Sequence, residues 1–175
     1  DADIMVLDDL SDIIAMSSAH AVTLVPHLLA PLAGGDRITR ELGIVMAGPN
    51  GQGVVSTPVS MCAQIVAPYP PAGSISVVSQ SGNLVSSFLN YAVQTGVGIA
   101  RAISSGNSAQ TGIAEYLEYF AADPETKVVV AYLEGVPDGR RLAAAIRRLT
   151  ARKPLVLVKG GVASEGQRAA LSHTG

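Results

Sequence analysis

Two short polar segments combine small side chains with glycine in a way that suits anion binding. They are Ser79-Gln80-Ser81-Gly82-Asn83 and Ser105-Gly106-Asn107-Ser108, and each follows an apolar run and precedes a helical pattern. Free backbone N–H groups at a helix start, with the positive end of the helix dipole, attract phosphate or carboxylate groups. For either segment on its own, ordinary N-capping by Ser81, Asn83 or Ser108 is the better explanation. Two such segments at one sheet edge favour an anion site.

Two further residues have side chains that could take part in chemistry. Glu134 directly follows six apolar residues, so its carboxylate either lies exposed at the end of a strand or orients another group. His173 lies in the polar sequence Ser172-His173-Thr174-Gly175, after a stretch rich in Gly, Ala and Ser. A lone histidine is most often a surface residue, whereas an imidazole on a mobile loop suits the transport of a reactive group. The residues alone leave both interpretations open.

The elements that must position these residues follow from hydrophobic periodicity. Apolar runs predict strands over 75–78, 99–104, 128–133 and 155–159, and the segments between them repeat apolar residues at helical spacing. The predicted helical stripes are Leu84, Val85, Phe88, Leu89 and Ala92; Ile113, Tyr116, Leu117 and Phe120; and Leu142, Ala145, Ile146 and Leu149. This alternation predicts an α/β fold, a flavodoxin-like doubly wound parallel sheet over residues 71–175. Ligands of such sheets bind beyond the carboxyl ends of the strands, where the polar segments lie.

Residues 1–70 are less regular. The sequence predicts a strand over 21–25, a helix over 36–42 and a strand over 43–47, which leads into the Gly-rich loop 48–53. Residues 58–71 contain four prolines and no periodicity, so they read as a linker with a domain boundary near Pro71. A start at Asp1 without Met, and an end at Gly175 inside a polar loop, suggest a fragment of a longer protein.

Composition excludes several classes of protein. Charged residues are 15% and the net charge is −2, so no basic field is predicted to attract nucleic acid or acidic lipid. The single cysteine, Cys62, excludes an internal disulfide framework and a cysteine-cluster zinc site, and the three histidines are too scattered for a metal motif. The longest apolar stretch is interrupted by prolines and no signal peptide is recognisable. These features predict a cytoplasmic protein that binds neither membrane nor metal.

Five motifs, in this order, resemble the α-subunit or α-domain of nucleoside-diphosphate-forming acyl-CoA synthetases, a family that includes succinyl-CoA synthetase and the ADP-forming acetyl-CoA synthetases. The motifs are Gly48-Pro49-Asn50-Gly51-Gln52-Gly53, Val78-Ser79-Gln80-Ser81-Gly82, Ser105-Gly106-Asn107, Tyr132-Leu133-Glu134-Gly135 and Ser172-His173-Thr174-Gly175. The turn at 123–127 is closest to the ADP-forming branch. The resemblance runs from about Gly43 to the end and implies that residues 1–70 are part of a Rossmann-like CoA-binding domain.

The resemblance implies an acid–thiol ligase that uses a phosphorylated histidine, in the reaction acyl-CoA + ADP + phosphate ⇌ acid + ATP + CoA. By this resemblance His173 carries the phosphoryl group and Glu134 holds the other ring nitrogen. Asn50 and Gly51 match the loop near the thiol of CoA, although many relatives have Cys where this chain has Gly51. The remaining residues implied are the phosphate ligands Ser79, Gln80, Ser81, Gly82, Asn83, Gly106 and Asn107.

The same resemblance implies partners and substrates. CoA and ATP or ADP with Mg²⁺ are substrates of the complete enzyme, and no tightly bound cofactor is predicted in this chain. The nucleotide reacts on an ATP-grasp β-subunit or domain, so a hetero- or homo-oligomer is expected, with a small acyl substrate.

Two alternatives remain at the level of the sequence. One is a non-catalytic or regulatory acyl-CoA synthetase-like domain, as in some protein acyltransferases; the presence of both His173 and Glu134 favours catalysis. The other is an FMN-binding flavodoxin-like electron carrier. Five Tyr, two Phe and no Trp leave few side chains to stack on a flavin.

Overall fold

The computed structural model describes residues 2–7, 23–26, 45–65 and 67–161. Three helices lie in these ranges: α1 (Gly82–Thr95), α2 (Ile113–Ala122) and α3 (Gly139–Thr150). The strands there are β1 (Ala2–Leu7), β2 (Thr23–Pro26), β3 (Val45–Ala47), β4 (Gly53–Ser56), β5 (Met61–Gln64), β6 (Ala72–Ser79), β7 (Ile99–Ser104), β8 (Val128–Leu133) and β9 (Leu155–Lys159).

The larger of two sheets has the strand order β5-β4-β7-β6-β8-β9. Strand β6 pairs in parallel with both β7 and β8, and β8 pairs in parallel with β9. The chain therefore moves from β6 to β7 on one side and then to β8 on the other. This confirms the doubly wound α/β fold and places the topological switch point between β6 and β8, where such sheets bind ligands.

Two apolar layers cover the faces of this sheet. On one face α1 buries Val85, Leu89 and Ala92 against Val55, Val77, Ile99 and Ala102. On the opposite face α2 and α3 contribute Tyr116, Leu117, Phe120, Ala145 and Leu149 to a cluster that includes Val78, Ile103 and Val129. The three predicted helical stripes thus face the sheet, because residues at helical spacing share one side of a helix.

The segment predicted as a linker differs from that expectation. Within 58–71, Met61–Gln64 form β5, which pairs antiparallel with β4, and β4 pairs antiparallel with β7. A 3-10 turn at Thr57–Val59 joins β4 to β5. Strands β4 and β5 have only four residues each, so hydrophobic periodicity could not reveal them. Their pairing also depends on β7, which is distant in the chain.

The other expected elements in the first half are met in part. A smaller sheet has the order β2-β1-β3, so the strands expected near 21–25 and 43–47 are present, and β1 was not predicted. The helix expected over 36–42 lies outside the described residues. Helix α2 begins at Ile113, the first residue of its predicted stripe, and its N-cap is Gly112, so capping by Ser108 is not observed. The segment 105–108 is therefore a loop that does not open a helix.

A buried polar cluster links β7 to the turn after α2. Arg101 and Asp123 are 2% and 3% exposed, and Arg101 Nη2 lies 3.4 Å from Asp123 Oδ1. Thr126 donates its hydroxyl to Asp123 Oδ2 at 2.6 Å, and the hydroxyls of Ser76 and Thr126 are 2.7 Å apart. The neighbouring hydrogen bonds compensate part of the cost of burying these charges.

Candidate functional site

A cleft of about 360 Å³ opens at the carboxyl edge of the sheet, at the switch point between β6 and β8. Most of the predicted site residues line it together, although they come from four separate segments. The lining residues are Asn50, Gly51, Gln52, Ile65, Gln80, Ser81, Gly82, Asn83, Asn107 and Glu134. Two predicted residues, Ser79 and Gly106, are buried and do not line the cleft, and His173 is outside the described residues. Glu134 is the one charged group among the described lining residues.

The start of α1 forms one wall of the cleft. Ser79 shapes the preceding turn, because its hydroxyl donates to Ser81 O at 2.8 Å and accepts from Ser81 N at 3.0 Å. Ser81 is the N-cap, yet among the described residues no side chain caps α1, and its first turn has no acidic residue. Ordinary capping by Ser81 is therefore not observed. The first-turn N–H groups remain suited to an anion.

The other two helix starts are closed by carboxylates. Glu115 Oε2 accepts from Gly112 N at 3.1 Å in front of α2, and Asp138 Oδ1 accepts from Arg141 N at 2.9 Å in front of α3. Arg141 also pairs with Glu115 at 2.8 Å. A negative charge already occupies each of these helix starts, in contrast to α1.

Glu134 lies at the end of β8 and is held through its backbone. Gln80 Oε1 accepts hydrogen bonds from Glu134 N at 2.5 Å and from Gly135 N at 3.0 Å. Lys159, at the end of β9, donates Nζ to Glu134 O at 2.9 Å. Burial first, and then the nearby Glu134 carboxylate, raise the pKa of Tyr132. The carboxylate of Glu134 therefore lies half-buried beside the phenol of Tyr132, on a loop fixed by two neighbouring strands.

The Asn50 loop packs against the loop after β7. Asn50 has a left-handed φ of 58°, a conformation that Asn tolerates, and its Nδ2 donates to Asn107 Oδ1 at 3.1 Å. Asn107 N donates to Pro49 O at 2.9 Å. A Cβ on Gly106 would lie 2.1 Å from Pro49 O. Gly106 therefore permits the close contact that places Asn50 and Asn107 side by side.

Gly51 is also closely packed. A Cβ at this position would lie 2.6 Å from the carbonyl oxygen of Ser104. The structure therefore gives a steric reason for Gly51 at the position where many relatives have Cys. The loop backbone lies closer to β7 than a residue with a side chain permits.

Three residues at the site were not predicted: Gln52 and Ile65, which line the cleft, and Ser86. Gln52 lines the cleft and donates Nε2 to Asn83 Oδ1 at 3.2 Å, and Ser86 donates its hydroxyl to Gln52 Oε1. Gln52 lies inside the Gly48–Gly53 motif, so the motif itself was the signal that could have identified it. Ser86 carried no such signal, because it lies in the interior of α1.

Membrane-spanning helices and metal clusters are both absent from the described residues. None of the helices in these ranges is long and apolar enough to cross a membrane. Within the same residues, no three His, Cys, Asp or Glu side chains gather as ligands for a metal ion.

Known proteins share the fold of this chain, and the matching family covers part of the cleft. Residues 72–175 match the family described as the succinyl-CoA ligase-like flavodoxin domain. The chain belongs to this family. The matched range includes strands β6 to β9, the start of α1 and Glu134, so one side of the cleft lies within it.

Several of the similar proteins found by sequence are ADP-forming acetate–CoA ligases. The chain is 36% identical to acetate–CoA ligase [ADP-forming] I of Archaeoglobus fulgidus over 148 residues, which is 81% of this chain and 22% of that protein. It is 35% identical to the α-subunit of acetate–CoA ligase [ADP-forming] I of Pyrococcus furiosus, covering 78% of this chain and 29% of that subunit. The chain thus spans less than a third of the length of either relative.

A solved structure shows the same architecture. The dinucleotide-forming acetyl-coenzyme A synthetase 1 of Ca. Korarchaeum cryptofilum, in complex with phosphate and ADP, superposes with a TM-score of 0.73 at 34% identity. The match covers 79% of this chain and 30% of that one. The flavodoxin-like fold expected from the sequence is therefore confirmed.

Proposed function

We propose that this chain is the phosphohistidine-carrying α-region of an ADP-forming acyl-CoA synthetase. The complete enzyme would interconvert acyl-CoA, ADP and phosphate with the free acid, ATP and CoA. The observation that carries the proposal is that Glu134 and the uncapped start of α1 line one cleft at the switch point of the sheet. A carboxylate and a group of backbone donors are what a histidine-to-phosphate transfer requires.

Glu134 is the group that would orient the histidine. A nucleophilic imidazole must be neutral at the attacking nitrogen, and the ordinary histidine pKa of about 6.5 allows this near pH 7. A carboxylate on the other nitrogen sets the tautomer and stabilises the cation that forms. The hydrogen bonds that Gln80 and Lys159 make to the Glu134 backbone hold this loop in place, which supports the role. His173 is assigned by resemblance of the Ser172–Gly175 motif.

The start of α1 would bind the phosphoryl group. The backbone N–H groups of Gly82 and Asn83 follow a turn that Ser79 and Ser81 shape, and they are fixed before any ligand arrives. Donors arranged in advance stabilise transferred phosphoryl charge without reorganisation. Gln80 contributes through its hold on the Glu134 loop, and Asn107 and Gly106 contribute by placing Asn50 at the opposite wall.

The remaining substrates and partners follow from the same assignment. Asn50 and Gly51 would face the thiol end of CoA, and the acyl group would be a small carboxylic acid, such as the acetate or 4-hydroxybutyrate named for relatives. An ATP-grasp subunit or domain would bind the nucleotide with Mg²⁺. We place this reaction in the cytoplasm, in a hetero- or homo-oligomer. We assign residues 71–175 to the phosphohistidine domain and 1–70 to part of a CoA-binding region, whose strands β4 and β5 extend the sheet of that domain.

Phosphoprotein labelling tests the proposal. The chain is incubated with its ATP-grasp subunit or region, Mg²⁺ and γ-labelled ATP, and the expected product is an acid-labile, alkali-stable phosphoprotein. His173→Ala should abolish the label, whereas the matched control His27→Ala should keep it. A label that persists in His173→Ala would overturn the assignment.

The two alternatives have distinct outcomes in the same preparation. A regulatory domain would stay unlabelled beside an active ATP-grasp partner and would bind acyl-CoA without turnover. A flavin carrier would be yellow, with a flavin absorbance band. Family membership favours the ligase over the flavin carrier, and the position of Glu134 in the cleft favours it over the regulatory domain.

A further inference from the structure

The side chain of Gln52 lies across the first two turns of α1 and contacts them at two points. Its Nε2 donates to Asn83 Oδ1 at 3.2 Å, and its Oε1 accepts from the hydroxyl of Ser86. The backbone of Gln52 is held separately, since its carbonyl accepts from Ile65 N at 3.2 Å. The residue therefore bridges the loop before β4 and the helix that follows β6.

Gly82 allows this bridge to be short. A Cβ on Gly82 would lie 2.6 Å from Cγ of Gln52, so the glutamine side chain packs directly on the first residue of α1. On the other side, Gly51 packs on the carbonyl of Ser104 with equal closeness. Gln52 thus packs the loop that carries Asn50 directly on the start of α1, and the same loop packs on β7 through Gly51.

We propose that Gln52 is a positioning residue that aligns the start of α1 with the Asn50 loop. This proposal rests on the proposed function, in which one wall holds the phosphoryl group and the other holds the thiol end of CoA. Both the nitrogen and the oxygen of the Gln52 carboxamide hydrogen-bond to residues of α1. Gln52 therefore acts on the reaction by positioning this helix. A displacement of about 1 Å between reacting groups reduces rates by up to about 100-fold, and a loosened helix start would produce a fraction of that loss.

The test compares phosphorylation rates of variants in the complete enzyme with its ATP-grasp part. Gln52→Met keeps the packing on Gly82 but removes both hydrogen bonds. We expect its rate constant for His173 labelling from labelled phosphate and saturating acetyl-CoA to fall about tenfold, while its labelling rate from ATP, which reacts on the ATP-grasp part, changes less than about twofold. Gln94→Met is the matched control, because Gln94 is exposed in the last turn of the same helix and should leave both quantities unchanged.

Two neighbouring serines provide an independent arm if Gln52→Met does not fold. Ser86 donates to Gln52, whereas Ser87 donates to Asn83 O within its own helix at 2.9 Å. Ser86→Ala should slow labelling, Ser86→Thr should restore it by keeping the hydroxyl, and Ser87→Ala should have no effect.

The outcomes separate this proposal from the one on which it rests. An unlabelled wild-type enzyme overturns the proposed function. A labelled wild type with Gln52→Met and Ser86→Ala at the wild-type rate overturns the positioning role alone. Equal slowing in Ser86→Ala and Ser87→Ala also overturns it, because the loss would then not pass through Gln52.

Discussion

The side-chain carbonyl of Gln80 accepts a hydrogen bond from the backbone N–H of Glu134 at 2.5 Å. The two residues are 54 positions apart in the chain and stand on either side of the switch point. The same carbonyl also accepts from Gly135 N, so one glutamine turns both N–H groups of the loop after β8 toward β6. Glu134 is the one charged residue among the described residues that line the cleft. Its position therefore depends on the neutral side chain of Gln80, which follows another strand.

Gln80→Leu should destabilise the protein and slow His173 labelling. Removing the carbonyl leaves the part-buried Glu134 N–H without its acceptor, whereas the exposed Gly135 N–H can bind water, so we expect a loss of about 1 kcal/mol. Gln80→Glu keeps an acceptor and should retain most of the stability, but its charge beside Glu134 should weaken phosphate binding. Urea unfolding and labelling measure the two effects. Equal stability of Gln80→Leu and wild type would contradict the role assigned to this bond.

Glu134→Gln should separate catalysis from folding. Loss of the carboxylate should reduce the rate of His173 labelling from labelled phosphate and acetyl-CoA about 100-fold, in the usual range for a residue that assists proton or charge transfer. The backbone bonds to Gln80 and Lys159 remain, so the free energy of unfolding should change by less than about 0.5 kcal/mol. Glu125→Gln, at an exposed position, is the control for a lost negative charge. Wild-type labelling in Glu134→Gln would remove Glu134 from the mechanism.

Gly51→Cys, which introduces the residue common in the family, should destabilise this protein. The new Cβ would meet the carbonyl of Ser104 at 2.6 Å, and backbone atoms cannot move aside as a flexible side chain can. We expect a loss of about 1–3 kcal/mol by urea unfolding. Gly139→Ala, where nothing lies within 4 Å of the added Cβ, should be neutral or stabilising. An unchanged unfolding midpoint for Gly51→Cys would show that the loop adjusts freely.

Asp123→Asn should be strongly destabilising, although it lies outside the cleft. The change leaves the buried Arg101 without its counter-charge, which costs about 3–5 kcal/mol. Glu118→Gln breaks the exposed pair with Arg148, whose arginine side chain is 71% exposed, and should cost less than about 1 kcal/mol. Thermal or urea unfolding of both variants checks the contrast, and similar losses would contradict it.

The regular half of the fold was predictable because its signals are local. The bounds expected for β7, β8 and β9 agree with the structure, since continuous apolar runs ended by Gly or polar residues mark buried strands. The hairpin of β4 and β5 was not predictable, because strands of four residues carry little periodicity and take their stability from pairing with β7. Arg101 likewise gave no sign of burial, since its partner Asp123 lies 22 residues away.

The candidate site divides in the same way. The sequence by itself determined the family, the strand-end motifs and the residue types available for phosphate chemistry, because short motifs and apolar spacing are local properties of the chain. Only the tertiary structure decided that Gln80 turns its carbonyl to the Glu134 loop, that Gln52 bridges to Asn83 and Ser86, and that Gly51 lies against Ser104. The hydrogen bonds among these contacts join residues 31 to 54 positions apart, and side-chain directions over such distances are set by packing of the whole sheet.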